Sequence, residues 1–153
     1  MKTKLFAASL VMILSASFTL NAFAQVRPQQ LVKQRQAVMT LHGKYFYPLN
    51  PMVQGKVPYD AAIFARNAAF LEALSKMPWD GFDPRTSGEK SSTLPATFSD
   101  AAKFKAAADV YQAEIVKFVA ATKGGNEQAV KASYQDVRKT CDTCHDSFRA
   151  REQ

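Results

Sequence analysis

VKASYQDVRKTCDTCHDSF, residues 130–148, carries two messages at once. Val130, Tyr134, Val137, Cys141, Cys144 and Phe148 recur at alternating spacings of four and three, which is one face of a helix. Embedded in that face is Cys141-Asp142-Thr143-Cys144-His145, the C-x-x-C-H form of a covalent attachment site for c-type haem. The chemistry requires that order. Two thiols add across the two vinyl groups of a porphyrin to give thioethers, and the adjacent imidazole binds the iron from one side. On a helix Cys141 and Cys144 stand three apart and Cys141 and His145 four apart, so the three groups share a face. A cofactor stapled to the inward stripe of a helix becomes part of the core.

Other readings of these residues compete. A thioredoxin-like dithiol belongs at the start of a helix that follows a strand, and no βαβ pattern is present. Zinc would need His42 beside Cys141, Cys144 and His145, yet His42 is about a hundred residues away without a second histidine near it. Cys141 and Cys144 are the only cysteines, so no thiol is left for a disulfide framework.

The other end of the chain agrees with haem attachment. Lys2 and Lys4 precede a mostly apolar run from Leu5 to Leu20, and Ala22-Phe23-Ala24 supplies a small-x-small cleavage pattern. Residues 1–24 therefore read as a cleaved signal peptide and residues 25–153 as one mature domain, exported to the periplasm of a bacterium. An uncleaved anchor is the competing reading, but Leu5–Leu20 falls short of the ~20 residues a spanning helix needs. No membrane span remains after cleavage. The net charge of +7 is spread along the chain rather than clustered, which describes a solvated surface. Export argues against nucleic acid as a partner.

Four helical stretches are predicted, separated by proline and glycine breaks. The first runs from about Gln29 to Asn50. Leu31, Val38 and Tyr45 form one heptad stripe on it, and Val32, Met39 and Phe46 a second; Pro48 and Pro51 should kink or end it. The next opens near Tyr59 or Asp60, buries Ile63, Phe70, Leu74 and Met77, and stops at Met77-Pro78. A long connection to Pro95 follows, with Trp79 and Phe82 as its anchors on the core. Ser99 caps the third helix, whose stripe is Phe104, Ala108, Tyr111, Ile115 and Phe118. Gly124-Gly125-Asn126 closes it and caps the last.

A C-x-x-C-H in the final helix of an exported four-helix chain resembles the cytochrome c′ family, the class II cytochromes c. The likeness covers nearly all of residues 25–153. Arg35-Gln36, the run Gly55-Lys56-Val57-Pro58-Tyr59-Asp60-Ala61-Ala62, Met77-Pro78-Trp79 with Phe82, Phe98 to Phe104, and Cys144-His145-Asp146 with Phe148-Arg149 carry it. The resemblance implies an all-α fold: an antiparallel, left-handed four-helix bundle enclosing one covalent haem c. This family is itself an example of the up-down-up-down bundle. The likeness further implies a homodimer made through the first two helices, His145 as proximal iron ligand, and Arg35 and Gln36 as contacts of the haem propionates. A plain surface role is the alternative for Arg35. Arg149, one turn beyond His145, either lies against the proximal face of the ring or belongs to a fraying terminus.

The distal face of the iron decides the function. Met39 matches the first-helix position that points there in the family. A methionine bound to iron gives a six-coordinate, low-spin haem suited to electron transfer. The expected function on that reading is a periplasmic monohaem cytochrome passing single electrons between redox partners through His145 and Met39. The alternative is a five-coordinate haem binding nitric oxide or carbon monoxide in an apolar distal pocket, with Met39 packing as a flexible core residue. His42, one turn further on, is a nominal third donor whose ordinary role would be structural. No distal acid–base pair is evident in the sequence, so peroxidase-like catalysis is not expected, and the chain reads as a carrier or gas-binding protein rather than an enzyme.

Overall fold

The computed structural model describes residues 26–151, and the signal-peptide reading falls outside them. Four long helices are present: α1 (Pro28–Phe46), α2 (Ala61–Leu74), α3 (Ala101–Gly124) and α4 (Glu127–Phe148). Together they make the expected four-helix bundle, and no strand occurs among the described residues.

Local chemistry sets each boundary. Pro28 opens α1, where its missing N–H would have had no partner and its fixed φ already suits a helix. The helix ends at Phe46, earlier than the Asn50 expected. Pro48 cannot continue the ladder, so the chain tightens into a 3₁₀ turn over Tyr47–Leu49 and a further helical turn over Asn50–Val53. Asp60 caps α2, its Oδ1 accepting from the Ile63 amide at 3.0 Å. Asp100, not Ser99, caps α3, accepting from the Lys103 amide at 3.3 Å; Ser99 ends a separate turn over Ala96–Ser99. Gly125 takes φ +72°, a left-handed conformation that closes α3 cheaply only for glycine. Asn126 then caps α4 by accepting from Ala129 at 2.9 Å.

The buried face of the second helical segment matches the expected one at Leu74 and in part at Ile63, and departs from it at Phe70 and Met77. Phe64, Asn67, Ala68, Leu71 and Leu74 point inward, whereas Phe70 is 44% and Met77 53% exposed. The reason is close approach. Asn67 and Ala68 are small enough for α1 to pack against, and Asn67 Nδ2 donates to the Tyr45 carbonyl at 2.9 Å. Phe70 instead lies on the outer side of the Tyr45 ring, with centroids 4.6 Å apart.

The main core sits toward the Phe46 end of α1. Phe46 stacks on Tyr134 of α4 at 4.2 Å, and Phe118 of α3 meets both Tyr134 and Phe64 edge-on. Beyond α2 the long connection is packed, as its length required. Trp79 Nε1 donates to the Ser75 carbonyl at 2.7 Å. Trp79, Phe82, Phe104 and Phe148 then form a chain of aromatic contacts running from the connection across α3 to the end of α4.

Candidate haem site

The inward stripe of α4 is interrupted where the motif lies. Val130, Tyr134 and Val137 are fully buried, Cys141, Cys144 and His145 only partly so, and Phe148 is buried again. Helix α1 repeats the pattern. Leu31, Val32 and Arg35 are buried, Val38, Met39 and His42 partly exposed, and Phe46, with Leu49 of the following turn, buried. Both helices thus carry a stretch of inward-patterned residues that is only partly buried.

Burial governs the protonation of the donors. It pushes the Cys141 thiol up to about 11, with the charges of Asp142 and Cys144 adding to the effect, and it raises Cys144 as well. A redox-active dithiol works through a depressed thiol, and the shift here runs the other way. Burial also lowers the pKa of His145, with Arg149 adding to the shift and Asp142 and Asp146 opposing it. The neutral imidazole so favoured is the form that binds metal. No three His, Cys, Asp or Glu among the described residues are gathered closely enough to hold a metal ion by themselves. Two protonated thiols and a neutral imidazole on one partly covered helical face fit a porphyrin instead.

His42 shares that environment. Its Nδ1 donates to the Val38 carbonyl at 2.8 Å, its ring meets Tyr111 edge-on at 5.7 Å, and burial lowers its pKa. Tyr111 is in turn raised above the ordinary tyrosine range by burial and by the nearby Cys141 sulfur.

Arg35 and Gln36 part company. Arg35 is 3% exposed and points into the connection. Its Nη1 donates to the Gly81 carbonyl at 2.6 Å and Thr86 Oγ1 at 2.8 Å; its Nη2 donates to Ser91 Oγ at 3.1 Å and Thr93 Oγ1 at 3.0 Å. The guanidinium also lies 4.7 Å above the Phe82 ring. Gln36 is exposed. Gly81 is required here, because a Cβ on it would stand 2.8 Å from Arg35 Cβ. Thr93 then pairs with Arg149, while the Leu94 amide donates to the Phe148 carbonyl at 2.9 Å and the Ala150 amide to the Ser92 carbonyl at 2.7 Å. The connection therefore ties Arg35 on α1 to the segment that follows His145. Sequence reasoning missed Gly81, Thr86, Ser91 and Thr93. The hydroxyl-rich run Ser91-Ser92-Thr93 was the available signal, since a buried arginine must find acceptors.

The family model described as Cytochrome C' matches residues 30–149. The chain belongs to the cytochrome c′ family. Cytochrome c′ of Alcaligenes xylosoxydans xylosoxydans is 38% identical over 126 residues, covering 82% of this chain and 98% of that protein. Cytochrome c′ of Rubrivivax gelatinosus is 40% identical over 124 residues, covering 80% and 96%. A solved nitric oxide complex of a leucine-to-alanine variant of the Alcaligenes xylosoxidans cytochrome c′ superposes with a TM-score of 0.79 at 37% identity, over 84% of this chain and all of that one. As a cytochrome c′, the chain takes haem c with its iron as cofactor. Among the described residues no helix is long and apolar enough to cross a membrane.

Proposed function

We propose that this cytochrome c′ binds small uncharged gases, nitric oxide and carbon monoxide, at a haem held by Cys141, Cys144 and His145. The haem would supply the iron that takes the diatomic ligand. Cys141 and Cys144 fix the porphyrin to α4, and His145 holds the proximal side as a neutral imidazole. Arg35, bonded to the connection, would act on the propionates through its buried positive charge, and Gln36 through an exposed amide. Met39 borders the distal side.

One observation carries the choice of ligand. The partly covered stretch of α1 offers Val38, Met39 and a His42 whose only ring proton, on Nδ1 in the neutral form, is committed to the Val38 carbonyl. No side-chain donor in that stretch is left to stabilise bound dioxygen, whereas nitric oxide and carbon monoxide do not depend on one. The reported nitric oxide complex of a relative is in keeping with this reading.

Anaerobic titration of the reduced holoprotein tests it. Stoichiometric shifts of the Soret band with nitric oxide and with carbon monoxide are expected. Failure of both gases to bind, together with a ferric low-spin spectrum containing a sulfur-to-iron charge-transfer band, would overturn it. That outcome would favour a second reading, an electron carrier with Met39 on the iron. Its support is the placement of Met39 on the inward stripe between the buried Arg35 and Phe46.

Export completes the proposal: residues 1–24 are removed, haem is attached in the periplasm, and the mature domain 25–153 pairs through α1 and α2. Leu41 on α1, Tyr47 just beyond it and Phe70 on α2 are exposed large side chains that such a contact could cover. Phe70→Glu should shift the protein from dimer toward monomer in light scattering by at least about tenfold in dissociation constant. An unchanged mass distribution for that variant at micromolar concentration rules out this face as the interface.

A further inference from the structure

His145 stands on the last turn of α4, which ends at Phe148. Carbonyls in a final turn lack donors from their own helix, and such turns open first. His145 also borders a hollow of about 270 Å³ whose other walls are Asp146, Arg149, Ala150 and Arg151. All of these come from one short stretch of chain, so no other helix backs that side of the turn. What keeps the turn closed has to come from elsewhere.

The connection supplies that hold. The Leu94 amide donates to the Phe148 carbonyl at 2.9 Å, and Thr97 Oγ1 donates to the same oxygen at 3.4 Å. The Ala150 amide donates to the Ser92 carbonyl at 2.7 Å, and Thr93 pairs with Arg149 in the antiparallel sense. Arg149 in turn gives its amide to the His145 carbonyl at 3.0 Å. On its other side the same short run is gripped by Arg35, whose Nη2 donates to Ser91 Oγ and Thr93 Oγ1. Bonded groups thus lead from a buried guanidinium on α1 to the backbone of His145.

We propose that residues 91–94 form a clamp that fixes where His145 presents its imidazole to the iron. This rests on the haem reading above. In this role Arg35, Ser91 and Thr93 are positioning residues, acting through the backbone of the turn. With the clamp released, the turn opens more often and the imidazole samples a wider range of angles. The hollow beside His145 gives that motion room.

Ala150→Pro removes the N–H that bonds the Ser92 carbonyl and changes no residue of the motif. Arg149 already has φ −124° and ψ 130°, the extended backbone that a residue before proline prefers. Matured from the full chain in a host that attaches haem, this variant should exchange its Arg149 amide roughly fivefold faster or more. Its reduced form should show a broadened iron–imidazole stretching band in resonance Raman spectra. Thr93→Val, which keeps the shape but loses the acceptor for Arg35, should move both readouts in the same direction. Val130→Ala leaves a void in the core at the other end of α4; it should lower the melting temperature and leave both readouts unchanged. Wild-type exchange and an unaltered band in Ala150→Pro overturn the proposal, as does an equal response from Val130→Ala. Those results leave the haem reading intact, whereas absence of covalent porphyrin from the wild type overturns both. Should Ala150→Pro fail to fold, Thr93→Val decides by the same two measurements.

Discussion

Replacing Cys141 and Cys144 together by serine is expected to leave a protein from which acid and organic solvent extract all porphyrin. The thioethers are the only covalent links the chain can make, because no other cysteine exists. Each single variant should retain the haem mass through the remaining bond. The double variant should also melt at least about 10 °C below the wild type. Its cofactor would be held by mass action alone, so any fraction that dissociates removes its stabilisation of the folded state. Without it, Cys141, Cys144 and His145 on α4 and Val38, Met39 and His42 on α1 stay partly open to water. Mass spectrometry after extraction and a thermal scan of the same samples give both readouts. Porphyrin surviving extraction in the double variant would sink the assignment. Full haem loss with an unchanged melting temperature would instead mean that the interrupted stripes need no cofactor to be stable.

What the sequence made legible was whatever rests on local chemistry. The C-x-x-C-H run and the stripe of α4 were readable because motif and period lie on the same nineteen residues, 130–148. Asp60, Gly125 and Asn126 could be recognised because a cap is decided by one side chain and its own next turn. Helix α2 resisted because large apolar residues draw the eye. Phe70 and Met77 lie outside, while Asn67 and Ala68 lie inside where α1 approaches. That choice is tertiary, and periodicity over one helix cannot reveal it. The early end of α1 was half readable: Pro48 announced a break, but not that the chain would tighten first at Tyr47. Least legible was the setting of Arg35. Its acceptors lie 46 to 58 residues downstream, on a connection with no repeating pattern.

That setting gives Arg35→Leu an effect far larger than its distance in sequence from the C-x-x-C-H motif would suggest. Four N–H groups of one guanidinium fasten the connection to α1, and the Gly81 carbonyl and three hydroxyls would be left without their donor. Thr86 Oγ1 also donates to the Asp83 carbonyl at 2.7 Å, so the loss spreads into the turn that carries it. Buried acceptors stripped of a charged donor cost about 1–3 kcal/mol each before relaxation, and water entering the loosened loop recovers part of that. A net loss of about 3–4 kcal/mol is expected, comparable to breaking a buried ionic contact. Burial lowers the pKa of Arg35, yet a guanidinium begins so far above neutrality that it stays charged throughout the working pH range. The loss should therefore be the same at pH 6 and pH 8. Arg35→Lys should recover less than half, because an ammonium is a point donor and cannot span Gly81, Thr86, Ser91 and Thr93 as the planar fork does. Denaturant melts of the three proteins measure the differences. Wild-type stability in the leucine variant would mean that the clip contributes nothing. Full rescue by lysine would mean that charge alone, and not the fork, holds α1 to the connection that reaches the end of α4.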